Sequence, residues 1–485
     1  MVALSTLLAA SCIETDIQFD VSVTSVVQHT DQVQKGSLFF AFEGLHSSGT
    51  RWAAEAARKG AVAIVAEKSI EDLDLPVIVV KKIRSVYSTM CAAFWGNPER
   101  DLTLIGVTGT DGKSTTCDYL YQILGFHNVQ SGLLSTISVD DGSGKIESPW
   151  RQSTPEAELL FAFLARCRDN GISTVVLECT SHALSESFDR LGPITFDIAT
   201  VTTVSSEHLD FHGDKDAYLT AKLRIIERLK LTGFFISSIE NAVLPTFLSA
   251  LKKTQHPLVA GKQIPYQVQD NGWDGVTLLV GQSTIETSVL LPALATNSLL
   301  AHLCVQALLG KELDLLPLGS LGPVKGRMQL IPNTLGVVAC IDFAHTADAY
   351  DKVFGFAKAH TPGRIIAVLG AAGERDRTKR PAMGRIASEA ADLIFLTEED
   401  PRSEDPEQVF DDLRSQMNGR CDVVIIGDRK SAIEEAIGRS QVGDTLLFLG
   451  KGHEQTILRN DGPVPWDEIA VVQTALNEEE GRRCE

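Results

Sequence analysis

The chain has no excess of positive charge, no CxxC pair among its cysteines, no internal repeat and no low-complexity tract. Each absence removes a class of function. With 44 Lys and Arg against 63 Asp and Glu, the formal charge is −19 at pH 7. General attraction to nucleic acid or to an anionic membrane surface is therefore not expected, and any anionic ligand has to be drawn by local cations and backbone dipoles. Nine scattered cysteines, an odd number, do not suit a disulfide-stapled secreted scaffold and read as reduced thiols of a cytoplasmic protein. No run reads as approaching the ~18 apolar residues that span a bilayer. The opening "MVALSTLLAASC" is apolar but lacks a basic segment, and "IETDIQFDV" follows without a small-residue cleavage site, so a buried N-terminal helix is expected. The expectation is a monomer with no nucleic-acid partner and no stable membrane association.

What is present is ordinary globular composition, 44% hydrophobic and 22% charged, over 485 residues, enough for roughly three domains of about 150 residues each. Near the N-terminus, short apolar runs ("GSLFFAFEG", "AVAIVAE", "PVIVV") alternate with helical stretches such as "RWAAEAARKG", which predicts a small α/β module. After the turn-rich "FWGNPERD", the runs "LTLIGVTG", "STVVLECTS" and "FDIATVTTV" predict a mainly parallel sheet covered by helices. Beyond "LDLLPLGSLGPVKGR" five more strand candidates, "VVACIDFAH", "RIIAVLGAAG", "DLIFLTEED", "DVVIIGD" and "TLLFLGKGHE", predict a second doubly wound unit. The charged end "NEEEGRRCE" reads as a solvated helix terminus.

The segment "GVTGTDGKSTT" at 106–116 is a strand, a glycine turn and Lys-Ser-Thr opening a helix. Backbone N–H groups of residues 109–115 (Gly109, Thr110, Asp111, Gly112, Lys113, Ser114, Thr115) converge in such a turn, and the helix N-terminus adds partial positive charge, so the turn suits phosphate. Lys113 would reach the outer phosphates and a Ser114 or Thr115 hydroxyl would meet Mg²⁺. The loop is shorter than the general phosphate-loop pattern, and an ordinary strand–helix turn is the alternative. Downstream, Glu178 and His182 end an apolar strand where doubly wound sheets bind ligands. His208, Asp210 and His212 cluster ahead of Lys222 on a helix, and this grouping points to metal and nucleotide chemistry.

The segments "TGTDGKSTT", "LECTSHAL", "EHLDFHG", "AYLTAK", "IDFAHTAD", "GERDRTKRPAMG", "EEDPRSEDP" and "GKGHE" stand in order along almost the whole chain. Together they resemble the Mur ligase family, and within it the type that completes a tripeptide. The resemblance implies an α/β protein of three domains. Residues 1–97 would bind a UDP-linked substrate, 98–321 would form the ATP-binding domain with its mainly parallel sheet, and 322–485 would form a Rossmann-like domain that brings in the amino acid. It also implies the reaction: ATP phosphorylates the terminal carboxylate of UDP-N-acetylmuramoyl-L-alanyl-D-glutamate, and a diamino acid (meso-diaminopimelate, L-lysine or L-ornithine) attacks the acyl phosphate. A carboxylate is a poor electrophile, and phosphorylation gives it a leaving group. Lys113 and Mg²⁺ then offset the repulsion between the two anions.

Carried over residue by residue, the resemblance makes Glu178 and His208 metal ligands and Lys222 an N-carboxylated side chain that joins Ser114 at the metal. Asn297 matches the adenine contact, although an earlier asparagine is replaced by Ala295. Asp342 matches the ribose contact, and Arg327 and His345 lie near the nucleotide and its phosphates. Ser153, Thr154, Ser181 and Arg190 match the muramoyl-peptide site. Arg375, Asp400, Arg402, Gly450 and Glu454 match the amino-acid site. Asp111 stands where asparagine is usual, either capping its own turn or facing the metal. Asp400 also replaces an asparagine and favours an amine over a second carboxylate, whereas Arg402 favours diaminopimelate. In the N-terminal segment "HTDQVQKG", Thr30 and Asp31 replace the usual Ser-Arg, so no uridine contact is assigned. Three rivals stand beside this reading: another ATP-dependent amide ligase (a D-Ala-D-Ala-adding, folate polyglutamylating or cyanophycin-type enzyme), a silent nucleotide-binding regulator on the same scaffold, and a P-loop NTPase that hydrolyses ATP without either co-substrate.

Overall fold

The computed structural model describes residues 1–13, 20–43, 48–150, 152–205 and 209–484, the side chains of 209 and 210 excepted. Near the N-terminus, the apolar runs form a four-stranded parallel sheet in the order Ser25–Val27, Ser37–Ala41, Ala63–Ala66, Val77–Val79. The opening apolar stretch is a helix, Leu4–Ala10, which buries Leu4, Leu7 and Leu8 as expected. Spacing of three and four residues puts those leucines on one face.

The second sheet has eight strands, in the order Ile146–Glu147, Ser138–Asp140, Ser131–Leu134, Thr174–Glu178, Thr103–Thr108, Phe196–Val201, Leu229–Ser238, His256–Ala260. The six from Ser131–Leu134 onward pair in parallel, and the first two form an antiparallel edge. Its inner strands are buried on both faces, which is why they read as unbroken apolar runs rather than alternating ones. Thr103–Thr108 lies between Thr174–Glu178 and Phe196–Val201. Its loop therefore opens at the carboxyl ends of adjacent parallel strands, the usual binding crevice of open α/β sheets.

The third sheet runs Gln329–Leu330, Val338–Asp342, Thr445–Leu449, Ile365–Leu369, Leu393–Leu396, Asp422–Ile425, parallel except for the first strand. All five of the C-terminal strand candidates are in it. The molecule is thus an α/β protein with three principal sheets. A three-stranded antiparallel sheet, Tyr266–Asp270, Val276–Val280 and Ser283–Thr287, has no counterpart among the strands expected from sequence, because it is short and partly polar.

The helix Pro292–Leu309 corrects one expectation: it is long and apolar enough to cross a membrane by length and composition, with mean hydropathy 1.3 over 18 residues. Its apolar surface is instead covered by protein, as Leu299, Leu300, Leu303 and Val305 are all at most 1% exposed and share a core with Ile105, Val107, Leu120 and Ile198. Burying each such side chain contributes about 1.5–3 kcal/mol.

In the C-terminal unit the side chains of Arg429 and Glu468 are wholly buried and paired at 2.5 Å, with Arg429 Nε 2.9 Å from the other carboxylate oxygen. Arg429 also donates to the carbonyls of Leu449 (2.8 Å) and Glu398 (3.3 Å), and Trp466 Nε1 donates to Glu468 (2.7 Å). One ion pair therefore ties together the ends of two strands of the third sheet, from which the segments 399–402 and 450–454 depart. Removing one partner of a buried pair leaves the other charge uncompensated. Glu468→Gln is expected to lower stability by about 3–5 kcal/mol in chemical denaturation, and a loss under about 1 kcal/mol would contradict the buried pairing.

Candidate active site

The strand Thr103–Thr108 delivers the chain into the turn 109–112 and then into the helix Lys113–Phe126. Gly112 takes φ +81°, and a Cβ built on it would lie 2.5 Å from Asn297 Nδ2. The side chain matched to adenine thus rests directly on the phosphate turn, and only glycine admits that approach. Lys113 Nζ donates to Thr110 O at 2.6 Å, which curls the side chain over the turn. Thr202 Oγ1 donates to Asp111 O at 2.6 Å. The Asp111 carboxylate helps keep Arg327 charged, so this acidic side chain shares the field of Arg327 and Asp342. Thr115 is buried in the first turn of the helix.

Glu178, 1% exposed, ends the neighbouring strand. Its carboxylate accepts from Ser114 Oγ (2.9 Å), Thr136 N (2.9 Å) and Thr136 Oγ1 (2.9 Å). These donors are neutral, and no cation lies within 4 Å of it among the described residues. A buried anion without a cation is costly. Hard oxygen donors beside a phosphate turn suit Mg²⁺, so Glu178 and Ser114 fit the implied metal. His208 lies outside the described residues, and among those described no cluster of three or more His, Cys, Asp or Glu forms a ready metal site. Lys222, 1% exposed, donates to Gly109 O at 2.5 Å and sits 4.6 Å from the centre of the Tyr218 ring.

The residues matched to the muramoyl peptide converge around Glu178. Thr136 Oγ1 reaches Ser153 Oγ at 2.6 Å. Thr154 Oγ1 donates to Glu178 O at 2.7 Å, so Thr154 supports the strand end from behind rather than facing the cavity. Ser181 opens a short helix capped by Thr180 and meets His212 Nε2 at 3.1 Å. Arg190 donates to Thr154 O at 3.0 Å and pairs with Glu156 at 2.6 Å.

Across the crevice, Asp342 accepts backbone N–H bonds from Met328 and Ala344, both at 2.7 Å. Burial pushes its carboxyl up and Arg327 opposes the shift, while burial pulls Arg327 down and Asp342 opposes that. Arg327 stacks on Phe343 at 4.6 Å, and His345 Nδ1 lies 2.9 Å from Phe343 O. His453 is held neutral by burial and by Arg327.

The amino-acid set forms the far end. Arg375, Asp400, Arg402 and Glu454 line the cavity, whereas Gly450 (φ +102°) stands behind it, where a Cβ would come within 2.5 Å of Glu399 Oε2. Lys451 lies within the quoted "GKGHE" but was given no role there; its wholly buried ammonium donates to Asp400 (2.9 Å) and Glu454 (2.5 Å). Burial works to discharge this lysine, but Glu454 and Asp400 outweigh it and raise its pKa. Glu399 Oε2 is buried without a hydrogen-bond partner among the described residues. A lysine between two glycines and two residues before His-Glu was the available signal. Its tie to Asp400, far away in sequence, was not readable.

These groups wall one continuous cavity of about 860 Å³, which spans the phosphate turn, the peptide set and the amino-acid set. That volume suits an extended small-molecule assembly. Because the turn has no room at 112, Gly112→Ala is expected to weaken nucleotide binding at least about tenfold, from roughly 1–2 kcal/mol of left-handed strain plus displacement of Asn297. Calorimetric titration with nucleotide checks this, with unchanged circular dichroism as the control for folding.

The chain matches a family model for the Mur ligase middle domain over residues 107–279 and one for the Mur ligase glutamate ligase domain over residues 326–452. It is 33% identical to a UDP-N-acetylmuramyl-tripeptide synthetase of Borreliella afzelii (strain PKo), with 94% of each chain covered. A solved UDP-N-acetylmuramoyl-L-alanyl-D-glutamate–2,6-diaminopimelate ligase is 25% identical, with TM-score 0.64 and coverage of 98% of this chain and 99% of that one. A MurF ligase from Thermotoga maritima in complex with ADP shares the fold at 21% identity and TM-score 0.64, covering 95% of this chain and 98% of that one. A phosphate turn facing a buried carboxylate, matched along almost the full length by a relative one-third identical, means that the chain belongs to the Mur ligase family of ATP-dependent acid–amino-acid ligases.

Proposed function

We propose that this enzyme joins a diamino acid with a single carboxylate, L-lysine or L-ornithine, to UDP-N-acetylmuramoyl-L-alanyl-D-glutamate with cleavage of ATP, in peptidoglycan precursor synthesis. The carrying observation is the grouping of carboxylates around Lys451. Asp400, Glu454 and Glu399 share one neighbourhood with the Lys451 ammonium, with Arg327 also acting on Glu454 and Arg429 on Glu399, and Glu399 retains a buried oxygen without a hydrogen-bond partner among the described residues. The unpartnered Glu399 oxygen, beside Asp400 and Glu454, would accept the distal ammonium of the incoming amino acid and repel a second carboxylate. Arg375 and Arg402, on the cavity wall, would hold the one carboxylate that the substrate carries.

In this reading the domains divide near 97 and 321, and each supplies one substrate. The peptide carboxylate attacks the outer phosphorus of ATP: a C–O–P bond forms as the bond to ADP breaks. The amine then adds to the acyl carbon, and the tetrahedral adduct expels inorganic phosphate and leaves the amide. Lys113 faces the transferred phosphoryl group. Ser114 and Glu178 would hold Mg²⁺, with His208 and a carboxylated Lys222 as the remaining ligands. Bound there, the ion supplies the positive charge that lets two anions approach. Asn297 and Asp342 orient the nucleoside. Ser153, Ser181 and Arg190 position the dipeptide, with Thr154 behind them. The ADP bound by the MurF structure of the same fold supports ATP as the nucleotide.

Phosphate release from ATP is expected to require both UDP-N-acetylmuramoyl-L-Ala-D-Glu and the diamino acid. Release with neither co-substrate would overturn the ligase reading for this chain. Across a panel of L-lysine, L-ornithine and meso-diaminopimelate, kcat/KM is expected to be at least about tenfold lower for the dicarboxylate, and the reverse order would give the site to diaminopimelate. Asp400→Asn is expected to shrink that preference by about tenfold, the effect of ~1.4 kcal/mol of lost attraction.

A further inference from the structure

Arg84 occupies the first turn of the helix Ile83–Phe94 and was not singled out by any motif. Its guanidinium carbon lies 3.8 Å from the ring centre of Phe42 and 5.4 Å from that of Phe188. Phe42 follows a strand of the N-terminal sheet, whereas Phe188 follows the peptide-site helix Ser181–Leu184. Arg190 approaches the same Phe188 ring at 5.0 Å.

The two arginines that share this ring are committed differently. Arg190 donates to Thr154 O and pairs with Glu156. Among the described residues, the Arg84 guanidinium makes no hydrogen bond and no ion pair within 4 Å. It is nevertheless largely withdrawn from water, and burial lowers its pKa, with Glu156 opposing and Arg190 reinforcing the shift. Glu156 is already paired with Arg190, so Arg84 has no carboxylate within 4 Å of its own among the described residues, although Glu67 acts on it from farther away. Arg84 lines the same cavity as Gln28 and His29 on one side and Lys113 and Glu178 on the other.

A guanidinium lying against ring faces keeps its plane, so its N–H groups point outward along an edge. That edge matches a pair of phosphate oxygens, and cation–π contact holds it ready. We infer that Arg84 binds the diphosphate of the nucleotide-sugar substrate, at the joint between the N-terminal sheet and the peptide site. The inference rests on the UDP-linked substrate proposed above and assigns to that substrate an anchor absent from the matched residues. Phe42 and Phe188 then have a role of their own, since their rings fix the plane of the arginine.

The test compares UDP with uridine as competitors of UDP-N-acetylmuramoyl-L-Ala-D-Glu in the full-length enzyme at saturating ATP. Wild-type enzyme is expected to bind UDP more tightly than uridine. Arg84→Gln is expected to weaken UDP at least tenfold and to raise KM for the nucleotide-sugar similarly, with uridine inhibition and the KM values for ATP and the amino acid unchanged. Arg84→Lys, which keeps the charge but not the fork, is expected to recover part of the loss. Unchanged UDP inhibition in an Arg84→Gln enzyme that still ligates would overturn the role of Arg84 and leave the proposed reaction standing. An equal loss of uridine and UDP, or no preference for UDP in the wild type, would likewise overturn it. A wild-type enzyme whose turnover does not depend on the nucleotide-sugar would overturn both.

Discussion

The site depends on a buried carboxylate that has no cation within 4 Å among the described residues. Glu178 is buried at the end of a central strand and satisfied by a serine hydroxyl, a threonine hydroxyl and one backbone amide. Such neutral donors stabilise an anion without cancelling its charge, and the residual field is what a divalent ion and a phosphate turn can use. The arrangement also explains the neighbours. Thr154 secures the carbonyl of Glu178, Thr136 links it to Ser153, and Ser114 brings the phosphate turn to the same atom. A change at any of these positions is felt at the carboxylate.

Opposite charges meet at the other wall by a different rule. Lys451 is held charged in spite of burial by Glu454 and Asp400. Arg327 and Asp342 moderate each other in the same way. Both ends of the cavity set cations beside carboxylates: Lys113 and Arg327 with Asp111, Glu178 and Asp342 where phosphates are proposed, and Arg375, Arg402 and Lys451 with Glu399, Asp400 and Glu454 where the amino acid is proposed. In a chain of overall charge −19, such local cations are what an anionic ligand would meet.

Much of this was legible in the sequence because parallel strands buried on both faces write themselves as continuous apolar runs. "LTLIGVTG", "STVVLECTS" and the C-terminal candidates all became strands. The phosphate turn was legible for a local reason, since its glycines and Lys-Ser-Thr are contiguous. The antiparallel sheet 266–287 was not legible, because strands such as Tyr266–Asp270 are half polar and look like loop. Pro292–Leu309 was underestimated as an apolar run because Thr296, Asn297, Ser298 and His302 interrupt it, yet all of them are buried. The contact of Asn297 with Gly112, the tie from Lys451 to Asp400 and the aromatic seat of Arg84 join positions far apart along the chain, and no local pattern announces them. Asp111 shows the same limit: turn chemistry fitted it, but its charge acts on Arg327, far along the chain.

The hydrophobic interior is shared unequally. Leu38, Phe40, Tyr87 and Met90 from the N-terminal part belong to one core with Leu160, Phe161, Leu164 and Leu177 of the middle part. The core beneath the third sheet takes only Leu290 and Leu291 from the middle part as fully buried members. The first two sheets are therefore expected to melt together as one cooperative unit, because neither can shed its half of the common interior without wetting the other. The third has most of its own interior and can denature on a separate schedule.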